Sequence, residues 1–300
     1  MPSNSKQIIQ PFISYLQYEK RYSANTITSY SADLSEFFAY LNLQFGNTLL
    51  KDINHIQIRS WLAGLKDKGL TSKSINRKIS SLKSFFKYCV RTEMLKNSPM
   101  TKIISPKIGK RLPVFVNEEE TKKLVDTLNN SAETWKSLNA KMLITIFYNT
   151  GMRLSELISL KEKQIDFSRS SIKVLGKGNK ERVIPVNKET IENIRHYQEL
   201  KNKELETSED FLLVTEKGKK LYPKYAYLLV NQYLGTVGTL DKKSPHVLRH
   251  TFATHLMNNG ADLNAVKELL GHNSLASTQV YTHNSIEKLK DIHKKAHPKA

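Results

Sequence analysis

Residues 105–113 constrain the fold most, because no helix can run through them. The segment reads Ser-Pro-Lys-Ile-Gly-Lys-Arg-Leu-Pro, and neither proline has the backbone N–H that a helix interior requires. A chain of 300 residues is also about the length of two domains. We therefore predict an interdomain linker at 105–113, between an N-terminal domain at 1–104 and a second domain at 114–300. The basic residues of the linker favour a path along an anion.

The spacing of apolar residues in the first domain predicts four helices, at about 6–19, 25–43, 55–68 and 72–92. The fourth helix has the clearest apolar stripe, formed by Ile75, Ile79, Leu82, Phe85, Phe86 and Cys89. Its other face is polar and basic, with Asn76, Ser80, Lys83 and Lys87 at helical spacing. That face suits a DNA groove or, equally well, plain solvent.

The charge balance points to a polyanionic partner. Lysine and arginine number 47 against 28 acidic residues, a formal net charge of +19. A solvated basic surface and a membrane surface are the alternatives. Nucleic acid is favoured because the positive charge runs through both halves and is interleaved with Ser, Asn and Tyr. The candidate DNA-binding residues are Asn76, Arg77, Lys83, Lys87, Lys107, Lys110, Arg111 and Lys180.

The sequence argues against a membrane-spanning protein and against a fold held by disulfide bonds. No apolar run approaches the roughly 20 residues of a membrane span, and the N-terminus lacks the apolar stretch of a signal peptide. We therefore expect a cytoplasmic protein. Cys89 is the only cysteine, so no internal disulfide or thiolate metal cluster can form, and its apolar register indicates a core residue.

The second domain begins with helical signals. Asn117 and Glu120 have the spacing of a helix N-cap and its reciprocal acid. A helix at about 134–148 ends near Gly151, and a short helix follows Arg153, which places that arginine at a turn facing a cleft.

A β-hairpin is predicted next, followed by helices. Strands at 171–174 and 182–185 flank Gly176–Lys180, so that Lys177 lies at the hairpin tip. The chain reads as helical again after about Leu221. The predicted fold class is therefore mostly α with a small β-sheet or hairpin.

Residues that can bind and attack a phosphodiester are concentrated near the C-terminus. Arg249 offers a rigid fork of donors for phosphate oxygens, His246 and His272 can move a proton near neutral pH, and Tyr281 offers an oxygen nucleophile. A phenol has a pKa of about 10, so ionising it at pH 7 costs about 4 kcal/mol unless neighbours take the proton or stabilise the anion. Arg153 supplies further positive charge, and a lysine on a hairpin can protonate the leaving oxygen. We assign that last role to Lys177.

No cofactor or metal is predicted. The sequence contains no phosphate-binding loop of the Gly-x-x-x-x-Gly-Lys-Ser/Thr type. His246 and His250 are four residues apart, as zinc ligands can be, but the segment lacks the accompanying Glu, and Arg249 would repel a cation.

Five motifs together resemble those of tyrosine recombinases, the phage integrase family, of the Xer type. They are Thr150-Gly151-Met152-Arg153-Leu154-Ser155-Glu156-Leu157, Gly176-Lys177-Gly178-Asn179-Lys180-Glu181-Arg182, His246-Val247-Leu248-Arg249-His250, Leu269-Leu270-Gly271-His272 and Tyr281-Thr282-His283. The resemblance spans nearly the whole chain.

The resemblance implies a fold and a role for each site residue. The fold would be an N-terminal four-helix SAM-like core-binding domain plus a mixed α/β catalytic domain, closing around DNA as a C-shaped clamp. Tyr281 would attack to form a 3′-phosphotyrosyl bond, and Lys177 would protonate the 5′ oxygen. His246 would accept a proton. The residues that would hold the phosphate are Arg153, Arg249 and His272. Glu156 would orient a neighbouring base or arginine, or else be a helix-surface charge.

The resemblance also implies a function and partners. The chain would be a site-specific DNA recombinase that passes through a Holliday junction and resolves chromosome dimers at cell division. Its partners would be a double-stranded recombination site, further protomers or a paralogue in a tetramer, and a septal DNA translocase. The tail at about 285–300 would dock on the neighbouring protomer. The alternatives are a mobile-element integrase, a catalytically silent DNA-binding protein, and a type IB topoisomerase-like relaxing activity.

Overall fold

Two separate apolar cores organise the chain, one in the unit Met1–Arg111 and one in the unit Leu112–Ala300. The computed structural model describes residues 3–109, 114–131, 134–176, 181–207, 209–237 and 243–271. None of the helices in these ranges combines the length and the apolar character needed to cross a membrane.

The described residues of the first unit form helices joined by loops, as the apolar spacing predicts. Its α-helices are α1 (Ser3–Ser14), α2 (Ala24–Phe45), α3 (His55–Asp67) and α4 (Ser72–Arg91). A π-helical turn, Tyr15–Glu19, continues α1. The side chains of Ser23, Asn54 and Thr71 accept hydrogen bonds from the first turns of α2, α3 and α4, which explains where these helices begin. The four predicted helices are confirmed.

The apolar stripe of α4 forms much of the first core. Every residue of the predicted stripe is buried, and Cys89 lies among them without solvent exposure. Burial raises the pKa of the Cys89 thiol to about 12, so the group stays protonated and unreactive at neutral pH. The prediction that Cys89 is a core residue is confirmed.

Seven α-helices of the second unit fall within the described residues, together with a short 3-10 helix at Glu162–Gln164. The α-helices are α5 (Glu118–Asn129), α6 (Trp135–Thr150), α7 (Leu154–Leu157), α8 (Lys188–Glu204), α9 (Pro223–Leu234), α10 (Pro245–Asn258) and α11 (Leu263–Leu270). The predicted cap is confirmed, since the side chains of Asn117 and Glu120 each accept a hydrogen bond from the other residue's backbone N–H. Helix α6 is buried along most of its second half and packs against α8, α9 and α10, which makes it the centre of this unit.

Along the chain, a small antiparallel sheet follows α7 and precedes α8. Strands β1 (Ile165–Asp166), β2 (Ser171–Leu175) and β3 (Glu181–Pro185) follow one another in that order, with Ile172 paired to Ile184 and Val174 to Arg182. The predicted hairpin is confirmed; its tip at 177–180 lies outside the described residues. Strand β1 was not predicted, because two residues are too few to show an alternating pattern. The predicted fold class, mostly α with a small sheet, is confirmed.

Candidate active site around three arginines

Glu156 is the centre of a buried charge cluster. Its Oε1 accepts from Arg153 Nη1 at 2.8 Å and from Arg182 Nη1 at 3.2 Å. Its Oε2 accepts from the Arg153 backbone N–H and from Arg182 Nη2, each at 2.8 Å. The carboxylate side chain is only 5% exposed. Burial alone would raise the pKa of Glu156, but the hydrogen bonds from Arg182 and Arg153 outweigh it and hold the pKa below its ordinary value.

The local sequence explains why Glu156 and Arg153 meet. Arg153 is the N-cap of α7 and Glu156 is its third helical residue, the position from which an acidic side chain reaches back to the cap N–H. Gly151, two residues earlier, ends α6 in the left-handed region with φ of +59°. A Cβ atom there would lie 2.4 Å from Phe252 Cδ1 and 2.7 Å from Leu270 Cδ2, so only glycine fits this turn.

Arg249 enters the same region from α10. Its Nη1 donates to the Gly151 carbonyl at 2.6 Å and its Nη2 to the Leu270 carbonyl at 2.8 Å. Burial, together with the charges of Arg153 and Arg182, lowers the pKa of Arg249 to about 10 despite the opposing effect of Glu156. The guanidinium group therefore remains a cation at neutral pH.

The end of α11 brings the three arginines together. Its last carbonyls have no partner within the helix and carry its partial negative charge. Arg182 Nε donates to Leu269 O at 2.9 Å, and Arg153 Nη2 donates to Gly271 O at 3.0 Å. Since Arg249 takes Leu270 O, three consecutive carbonyls are each held by a different arginine.

The predicted catalytic residues are only partly within the described chain. Arg153 and Arg249 lie in one cluster, and His246 is exposed in the first turn of α10, three residues before Arg249. Residues three apart on a helix share a face, so His246 and Arg249 lie side by side along α10. Lys177, His272 and Tyr281 lie outside the described residues.

Two members of the cluster were not among the predicted site residues. The sequence places Arg182 at the start of a strand and in one of the family motifs but assigns it no role at the site, and it assigns Glu156 either as an orienting group or as a helix-surface charge. One signal for Arg182 is strand alternation: it shares a face of β3 with Ile184, which is fully buried. An arginine on the buried face of a strand needs an acidic partner.

The DNA-binding candidates of α4 differ in their surroundings. Arg77 is about half exposed and is anchored through Nη1 to Asp33, whereas Lys83 and Lys87 are exposed. Asn76 donates its side-chain amide to the Pro106 carbonyl at 2.8 Å. Lys107 is exposed. Lys110, Arg111 and Lys180 lie outside the described residues.

Comparisons with known proteins cover nearly the whole chain. The model of the "Phage integrase family" matches residues 115–288, and that of the "Phage integrase, N-terminal SAM-like domain" matches residues 9–93. A "Tyrosine recombinase XerC" from Bacillus licheniformis is 39% identical over 99% of this chain and 98% of its own length. One of the same name from Bacillus pumilus is 37% identical over 99% and 98%.

Solved structures show the same fold. The post-cleavage complex of the site-specific recombinase XerH bound to a palindromic difH substrate aligns with a TM-score of 0.72 at 26% identity, over 96% of this chain and 83% of that chain. The Tn1549 transposon integrase with transposon right end DNA aligns with a TM-score of 0.73 at 19% identity, over 95% and 98% of the two chains.

Proposed function

Since this chain belongs to the phage integrase family, we propose that it works at a chromosomal recombination site and resolves chromosome dimers at cell division. The family prediction and the SAM-like N-terminal domain are confirmed. The chain is a site-specific tyrosine recombinase, which cleaves and rejoins DNA by transesterification through a phosphotyrosine intermediate. The residues that perform each step, the domain limits and the partners are proposals.

The convergence of Arg153 and Arg249 beside a buried carboxylate carries the assignment of the phosphate site. A guanidinium group has five N–H donors, and Arg249 serves two carbonyls, so donors remain for phosphate oxygens. The Arg153 side chain is 33% exposed, which allows it to meet a ligand. Because attack on a phosphodiester adds negative charge to the phosphoryl oxygens, cations fixed before the reaction stabilise the transition state more than the ground state.

The remaining steps follow from the chemistry of each side chain. The Tyr281 oxygen forms a bond to phosphorus, the bond to the 5′ oxygen breaks, and the phenolic proton passes to His246. The departing 5′ oxygen takes a proton from Lys177. His272 adds a further donor to the phosphate. Rejoining reverses these transfers with the 5′ hydroxyl of a partner strand as the nucleophile.

The domain limits are proposed as 1–104 and 114–300, joined by the linker at 105–113. The relatives named tyrosine recombinase XerC support the chromosomal role, and the XerH complex with difH supports a double-stranded DNA site as the partner. We propose a tetramer on that DNA, made with a paralogue or with further copies of this chain and activated by a septal translocase. The protein would act in the cytoplasm, where the chromosome lies.

Covalent trapping tests the nucleophile and the target together. A nicked suicide substrate should trap the wild-type protein, whereas Tyr281→Phe should bind DNA with unchanged affinity and form no adduct. Sequencing the trapped sites across the source genome should then identify one chromosomal locus. Trapping at the ends of a mobile element would instead assign the chain as its integrase, and an undiminished adduct with Tyr281→Phe would exclude Tyr281 as the nucleophile.

A further inference from the structure

We propose that Arg182 is a positioning residue that sets the active geometry of Arg153, and that it does so without contacting DNA. This inference rests on the proposed role of Arg153 as a phosphate ligand. Three features of Arg182 support this role: the elements it joins, its burial, and the number of its donors.

Arg182 joins three parts of the second unit with one side chain. Arg182 projects from β3. Its Nε donates a hydrogen bond to the Leu269 carbonyl at the end of α11, and its Nη1 and Nη2 donate hydrogen bonds to Glu156 on α7. Glu156 in turn holds Arg153 through the backbone N–H and through Nη1. The position of Arg153 is therefore fixed relative to both β3 and α11 by a chain of direct hydrogen bonds.

Burial separates the roles of the two arginines. The Arg182 side chain is 6% exposed, whereas the Arg153 side chain is 33% exposed. Nε, Nη1 and Nη2 of Arg182 are all hydrogen-bonded to the protein. Arg182 thus holds the cluster from the protein interior, and Arg153 is the arginine whose guanidinium group can contact a ligand.

The geometry requires a guanidinium group rather than any cation. The planar fork spans the carbonyl of Leu269 and both oxygens of Glu156 at once, which a single ammonium nitrogen at the end of a lysine cannot do with the same geometry. Gly271 makes room for the fork: a Cβ at that position would lie 3.2 Å from Arg182 Nη1, and its φ of +64° also favours glycine.

Three arginines from other elements donate hydrogen bonds to the carbonyls at the end of α11, directly before a proposed catalytic residue. Arg182, Arg249 and Arg153 hold the carbonyls of Leu269, Leu270 and Gly271 in turn. The next residue in the sequence is His272, another proposed phosphate ligand. Loss of Arg182 would remove one of these three hydrogen bonds and both of its hydrogen bonds to Glu156.

The test is single-turnover cleavage of a suicide substrate by the full-length protein, with DNA affinity measured separately. Arg182→Gln should lower the cleavage rate about 10²-fold, the size of effect that a small misplacement of a catalytic group produces. DNA affinity should not change. The matched control is Lys173→Gln, which removes one positive charge from the exposed side of the neighbouring strand and should cleave at the wild-type rate.

Two further measurements distinguish positioning from general damage. If Arg182 acts through Arg153, the double variant Arg153→Ala/Arg182→Gln should cleave no more slowly than Arg153→Ala alone. A substrate with an uncharged methylphosphonate at the cleaved position, where less charge must be stabilised, should restore much of the rate of Arg182→Gln. A general folding defect would persist on that substrate. Should Arg182→Gln not fold, Arg182→Lys keeps the buried charge and should show the same non-additivity.

The outcomes separate this inference from the proposed function. Wild-type cleavage by Arg182→Gln, losses that add to those of Arg153→Ala, or an equal defect on the uncharged substrate would each overturn the positioning role. Wild-type cleavage by Arg153→Ala would overturn the phosphate-binding role on which the inference rests.

Discussion

Arg182 donates both terminal nitrogens to the Glu156 carboxylate, at 3.2 and 2.8 Å, in a pair whose two side chains are almost fully buried. Burying two charges is costly unless their remaining donors and acceptors are satisfied. Here Arg182 Nε has the Leu269 carbonyl, and Glu156 has the two further hydrogen bonds from Arg153. The charged groups of the cluster are therefore satisfied as a set, and the loss of any one member would leave buried partners unpaired.

Glu156→Gln should strongly destabilise the second unit. The substitution leaves the buried Arg182 without a counter-charge and turns an amide N–H₂ toward guanidinium donors, a change that costs about 3 to 5 kcal/mol in buried pairs. Unfolding by urea can be followed through Trp135, which lies in this unit, after Trp61→Phe removes the other tryptophan signal.

Glu181→Gln is the matched control for that experiment. Glu181 precedes Arg182 on the same strand and pairs with Lys173 at 2.7 Å, but both of these side chains are more than half exposed. An exposed pair contributes at most about 1 kcal/mol. Equal losses of stability in the two variants would show that the Glu156 cluster has no special energetic role.

The acid sensitivity of the second unit should depend on Glu156. Its pKa in the folded protein is below the ordinary value, so the unfolded state binds more protons as the pH falls. The stability that its ionised form provides is complete above the unfolded value of about 4.3 and is lost as the pH falls through the folded pKa. The difference in unfolding free energy between wild type and Glu156→Gln should therefore shrink below about pH 4 to 5. A difference that grows toward acid would contradict this origin.

Much of the fold follows from local sequence patterns. The apolar stripe of α4 and the cap formed by Asn117 and Glu120 depend on residues close together in the chain, so spacing alone predicts them. The hairpin is equally local, since the paired residues Ile172 and Ile184 lie on either side of a glycine-rich segment of the sequence. These features need no information about the rest of the molecule.

The buried contacts of the candidate site could not be predicted from local sequence spacing. Arg182 and Glu156 are 26 residues apart, and they meet because the Arg182 side chain on β3 reaches both Glu156 on α7 and the Leu269 carbonyl at the end of α11. Asn76 shows the same limit, since its amide donates to the carbonyl of Pro106, 30 residues away. The helical spacing of Asn76 suits a DNA groove and solvent equally well, and its DNA contact remains a prediction.

Gly151→Ala should destabilise the second unit and slow cleavage. The left-handed backbone costs alanine about 1 kcal/mol, and the overlap of the new methyl group with Phe252 and Leu270 adds about 1 to 3 kcal/mol. Cleavage should fall as well, because the Gly151 carbonyl accepts a hydrogen bond from Arg249. Gly260→Ala separates the two causes: its φ is +84° and no atom lies within 4 Å of the added Cβ. Equal losses of stability in the two variants would exclude the steric overlap.

Arg77→Gln should weaken DNA binding and reduce its salt dependence. Asp33, which is almost fully buried, holds the Arg77 guanidinium and also accepts hydrogen bonds from Lys78 Nζ at 3.1 Å and Ser81 Oγ at 2.7 Å. This anchor fixes one side of the guanidinium group, while the side chain as a whole stays about half exposed, so an ordered cation faces solvent from α4. Ordered cations lose less side-chain entropy when they meet a phosphate.

The salt dependence of affinity measures that contact directly. A protein that engages about 6 to 10 phosphates loses about 10³ to 10⁵-fold in affinity between about 50 and 200 mM salt, and each lost phosphate contact lowers the slope of log affinity against log salt by about 0.9. Fluorescence anisotropy should show that reduction for Arg77→Gln. Asn76→Ala, a neighbouring change on α4 that alters no charge, should keep the wild-type slope. Because counterion release depends on phosphate neutralisation alone, an unchanged slope for Arg77→Gln would place Arg77 away from the DNA backbone.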